Sequence, residues 1–135
     1  MKKKLCLLFV LVLIFAGIIQ SSVLASNIMP LNNNTNLTKT RFLISDSGEA
    51  IVSLRYEGYP NVTTGAIISI KIEKRNLLFF WKDVIDETII VNDIHYYEEL
   101  HYQLDKRGTY KCTVEYVISG TGADDVITYE AEEKY

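Results

Sequence analysis

Thr109 to Ile118, TYKCTVEYVI, is the segment that decides the fold. Tyr110, Cys112, Val114, Tyr116 and Ile118 share one parity, and Thr109, Lys111, Thr113 and Glu115 share the other. An apolar period of two marks a strand with one buried face. Ser119-Gly120-Thr121-Gly122 then supplies the residues of a turn, and a last strand runs from Asp125 to about Ala131.

Reading upstream, the same period recurs. Ala50, Val52, Leu54 and Tyr56 alternate with Ser53, Arg55 and Glu57, and Ala66, Ile68, Ile70 and Ile72 alternate with Ser69, Lys71 and Glu73. Between these strands, Glu57-Gly58-Tyr59-Pro60-Asn61 reads as a turn, with Gly58 free to take positive φ. Leu77 to Trp81 is apolar on both parities, which suits a central strand, and Thr88 to Val91 makes a further short segment. Tyr96 to Leu104 carries Leu100, Tyr102 and Leu104 on one face and His95, Tyr97, Glu99 and His101 on the other. Residues 92–104 also contain helix formers, so strand and helix both stand for that stretch. Seven or eight short strands at intervals of roughly ten residues predict an all-β, antiparallel sandwich or small barrel.

The chain opens with Lys2, Lys3 and Lys4, runs apolar from Leu5 to Ile19 and reaches Val23-Leu24-Ala25. That order predicts a cleaved signal peptide over residues 1–25 and a secreted, extracellular product. No stable membrane insertion is expected once it is removed. Residues 26–40, rich in Asn, read as a flexible polar leader, and residues 41–135 as the β-sandwich domain. Taking the three signal lysines from the 14 basic residues leaves 11 against 17 acidic ones, which disfavours nucleic acid as a partner. Cys6 leaves with the signal, so Cys112 remains the single thiol and no internal disulfide is expected.

Asp105 to Cys112, DKRGTYKC, keeps the Gly-x-Tyr-x-Cys spacing of the penultimate strand of immunoglobulin-like domains, and the chain resembles that family. The resemblance implies an immunoglobulin-like sandwich of about seven strands lacking the core disulfide, similar to small secreted proteins of Gram-positive bacteria. It also implies roles by position. Tyr110 is the corner tyrosine bonded back to the corner backbone, Cys112 is the core cysteine, and Trp81 is the core tryptophan on the third strand. Ile68 or Ile70 then stands opposite Cys112.

Chemistry-bearing patterns are sparse. His95 and His101, six apart on one strand, lie about 20 Å from each other and cannot share a metal ion. Cys112, mid-strand on the apolar parity, is set to be a core thiol and not a nucleophile. The doublets Glu98-Glu99, Asp124-Asp125 and Glu132-Glu133 point to opposite sheet faces, so none is the facing pair a glycosidase needs. No enzyme activity and no cofactor are expected. Tyr59, Tyr97 and Tyr129 fall in turns or off the core parity and form the expected binding surface, for an unknown protein or a cell-wall glycan. The expectation is a non-enzymatic binding module. A secreted antagonistic factor, such as a bacteriocin-like protein or a hydrolase inhibitor, is the alternative.

Overall fold

A computed structural model describes residues 32–77 and 80–135. The expected signal peptide, and most of the expected leader, lie outside the described residues. Seven strands form: β1 (Thr35–Ile44), β2 (Glu49–Gly58), β3 (Thr63–Arg75), β4 (Trp81–Val91), β5 (His95–Gln103), β6 (Thr109–Gly120) and β7 (Asp125–Lys134). They make two antiparallel sheets, ordered β1-β2-β5 and β4-β3-β6-β7, and no helix occurs among the described residues.

The periodicity of the sequence places the core. Val52, Leu54 and Tyr56 of β2 meet Ile68, Ile70 and Ile72 of β3 and Cys112, Val114, Tyr116 and Ile118 of β6 in one buried cluster. Each of these alternate positions is shut off from solvent while its neighbours are not. Burying one such aliphatic side chain contributes about 1.5–3 kcal/mol. Ile85 and Ile89 from β4, Tyr96, Leu100 and Tyr102 from β5, and Ile127 and Tyr129 from β7 pack partly buried around that centre.

Several expectations change. Residues 35–40 are the first half of β1 and not a flexible leader. Thr35 is buried, and with Asn34 it is tied to Asp125 through Asn34 N (2.8 Å) and Thr35 Oγ1 (2.8 Å). Leu77 to Trp81 is no central strand either. β3 ends at Arg75, Asn76 and Phe80 bond to each other across a hairpin, and Leu77 is 99% exposed. Residues 95–103 form a strand paired with β2 along its length. Ile72, and neither Ile68 nor Ile70, stands opposite Cys112. Positive φ in the β2–β3 turn belongs to Asn61 (62°), while Gly58 serves by leaving room for Thr63, whose Oγ1 would lie 2.4 Å from an added Cβ.

The strands run so that one end of the molecule gathers the β1–β2 turn, the β3–β4 hairpin and the β5–β6 loop. The other end gathers the β2–β3 turn, the β4–β5 connection and the β6–β7 turn.

Candidate functional site

The hairpin end carries the most distinctive chemistry of the surface. β3 and β4 pair Lys74 with Lys82 and Arg75 with Trp81, and β6 sets Tyr110 opposite Lys74. The β5–β6 loop brings Lys106 and Arg107 to the same place. Between hairpin and loop lies a cleft of about 940 Å³ whose wall contains Lys74, Arg75, Lys82, Lys106 and Arg107. Two carboxylates, Asp83 and Asp105, share it. Asp83 is engaged elsewhere, 3.1 Å from Lys71 Nζ, so its charge is largely spent on the outer sheet face. Five cations thus converge in a chain whose formal net charge is −3.

Aromatic rings brace these cations. Lys74 Nζ sits 5.7 Å from the centre of the Tyr110 ring and the Arg107 guanidinium 5.4 Å from that of Tyr135. On the outer face, Trp81 lies between Arg75 (5.9 Å) and Lys111 (4.9 Å). Such contacts contribute about 0.5–1 kcal/mol at exposed sites, enough to orient a long side chain without removing its charge. Glu73, 2.8 Å from Lys111 Nζ, raises the pKa of that ammonium through the hydrogen bond and keeps it charged.

Beside the cleft the hairpin presents apolar surface. Leu77 is 99% exposed, Phe80 66% and Val84 43%. A second exposed apolar group crosses the far end of the four-stranded sheet, where Ile90, Ile67, Val117 and Val126 stand directly opposite one another on successive strands. A shallow hollow of about 380 Å³ lies over β2 and β5, walled by Arg55, Tyr56, Glu57, His95, Tyr96 and Tyr97.

The expected residues are distributed otherwise than the sequence suggests. Tyr110 and Cys112 are in the core, 2% and 0% exposed. Trp81 is not. It begins β4, an edge strand, at the hairpin root beyond the reach of the core, and the position beside Cys112 is filled by Ile72. Tyr59 lies in the β2–β3 turn, and Tyr97 is exposed on the outer face of the three-stranded sheet. Tyr129 points inward and packs against the core, because β7 buries its odd-numbered positions. These three tyrosines do not form one surface. His101 is held between Glu49 Oε1 (3.0 Å) and Glu99 Oε1 (3.3 Å) on the outer face, while His95 lies farther along the same strand. The basic cleft went unread because its cations come from two places far apart in the chain. The Lys74-Arg75 and Lys106-Arg107 doublets, each at a strand end, are the signal that could have found it.

No family model and no curated protein matches the chain. Among solved structures it is similar to the β-glucuronidase of Parabacteroides merdae, with 13% identity and a TM-score of 0.44. The likeness covers 74% of this chain and 13% of that one.

Proposed function

We propose that this chain is an exported, non-enzymatic binding module with an immunoglobulin-like sandwich, and that it acts by holding an anionic ligand at its hairpin end. The convergence of Lys74, Arg75, Lys82, Lys106 and Arg107 on one cleft carries the reading. Like charges gather against their own repulsion, and a negative partner in the cleft relieves it.

Strand order supports the immunoglobulin-like part. β2 pairs with β5, β3 with β6 and β6 with β7, as in that family, while the fourth strand joins the β3-β6-β7 sheet. The Tyr110 hydroxyl donates to the Lys106 carbonyl, a contact like the tyrosine corner of that family, which supports the reading. For the non-enzymatic part, the one thiol among the described residues, Cys112, is fully buried and burial pushes it up to about 12, the reverse of nucleophile activation. His101 is held by carboxylates on both sides, Glu49 and Glu99, and among the described residues no nucleophilic side chain is bonded to it.

The test is retention of the exported form, residues 26–135, on inorganic polyphosphate across a salt series. Retention that fades as salt rises, and that is lost in the Lys74→Glu/Lys106→Glu variant, is expected. Equal retention of the variant, or none by the unaltered protein, would overturn the reading.

A further inference from the structure

Cations and apolar side chains meet at the same end of the molecule, and their arrangement narrows the partner. We infer that the hairpin end docks on the surface of an anionic lipid bilayer, with the β3–β4 hairpin entering the headgroup layer and the basic cleft lying against the phosphates. This rests on the binding reading given above and names the partner of that same site.

A soluble polyanion would use the five cations and would have no use for the hairpin. Leu77 is exposed almost completely. Phe80 and Val84 are exposed beside it, and Trp81 is half-buried at the root, where amphipathic aromatic rings favour the membrane–water interface. Lys74, Arg75 and Lys82 follow the apolar residues on both arms of the hairpin, and Lys106 and Arg107 flank them from the neighbouring loop. An apolar tip ringed by cations is what an interfacial anchor requires. The tip gains by leaving water and stops at the depth where the ammonium and guanidinium groups reach phosphate.

The cluster is also one-sided. The turns at the opposite end of the sandwich carry Asp93 and Asp124 and no lysine or arginine, whereas the hairpin end sets five cations against Asp46, Asp83 and Asp105, so an anionic surface is met by the hairpin end. The anchor is small, and docking is therefore reversible and dependent on lipid charge.

The sequence has one tryptophan, Trp81, at the hairpin root, and its emission reports the event directly. The exported form is mixed with vesicles of phosphatidylcholine alone or with phosphatidylglycerol, the acyl chains brominated in a parallel set. Sedimentation with phosphatidylglycerol vesicles, no sedimentation with phosphatidylcholine alone, and quenching of Trp81 by the brominated chains are expected. Leu77→Ser/Phe80→Ser should weaken vesicle binding at least about tenfold and leave polyphosphate retention unchanged. Lys106→Glu should weaken both, by about fivefold or more at the vesicle. All three altered positions are solvent-exposed loop sites, and an unchanged thermal melt verifies that the variants fold. Polyphosphate retention without vesicle binding overturns this inference and leaves the binding reading standing. Vesicle binding that survives Leu77→Ser/Phe80→Ser, or that leaves Trp81 unquenched, also overturns it. Failure of both ligands removes the two together.

Discussion

The Tyr110 hydroxyl donates to the carbonyl oxygen of Lys106, four residues upstream, and so ties the β5–β6 loop to the first turn of β6. The same ring supports Lys74 on its face. One tyrosine thus joins the core, the loop that carries Lys106 and Arg107, and the strand that carries Lys74. Tyr110→Phe keeps the packing and removes the hydrogen bond, so it should cost about 1 kcal/mol. Chemical denaturation checks this, and an unchanged midpoint would show the bond to be idle.

Cys112 has no exposure and its thiol is pushed up to about 12 by burial. A thiol reagent at mildly alkaline pH should therefore modify native protein only as fast as it unfolds. Cys112→Ser puts a more strongly hydrated hydroxyl at a fully buried position packed among β3 and β6 side chains and should cost about 1–3 kcal/mol. The raised value also fixes an alkaline limit. Thiolate forms first in the unfolded chain, near pH 8.5, so this contribution is whole below that pH and is lost as pH rises toward 12. The slope is about 1.4 kcal/mol per pH unit from this group alone. Cys112→Ala should flatten it.

Asp125 gives the acid limit. Its burial pulls the carboxyl upward, but hydrogen bonds from Asn34 N, Thr35 Oγ1 and Asn33 N outweigh that and hold it below the ordinary carboxylate range. A depressed value contributes stability above about pH 4 that fades as pH falls through the lower folded value. Denaturation midpoints should drop in that window. Asp125→Ala strands three donors and should cost about 2–4 kcal/mol at neutral pH, with the acid dependence reduced.

Gly48 holds φ +83° in the β1–β2 turn, and the Tyr135 ring lies where a side chain would stand, 2.4 Å from an added Cβ. Gly48→Ala must therefore adopt a strained backbone and displace the ring that braces Arg107. A loss of about 1–3 kcal/mol is expected. Calorimetry of the variant checks it, and a melt within error of the parent would remove the argument.

Periodicity sufficed for the strands that fill the core. β2, β3 and β6 each alternate without interruption, and the structure buries the parity the alternation selects. It failed where sequence and burial part company. Thr35 to Thr40 are polar yet belong to β1, because the contact that holds them is a hydrogen-bonded cluster around Asp125, a carboxylate far off in the chain. Leu77 and Phe80 are apolar yet lie at the surface, because an apolar run says nothing about which side of the interface it occupies. Tyr129 was misread because β7 starts its inward parity at Asp125, and register is set by pairing with β6 and not by composition. The basic cleft is assembled by topology from two doublets that no local window contains.

The cluster that seats β1 joins Asn34 to Asp125, 91 positions apart. Closing that long loop is entropically costly, so the Asn34–Thr35 end of β1 is expected to settle late, after the local β1–β2 hairpin has formed. Refolding is expected on the slow side of small proteins, in milliseconds to seconds, with β1 exchanging its amide protons ahead of β3 and β6.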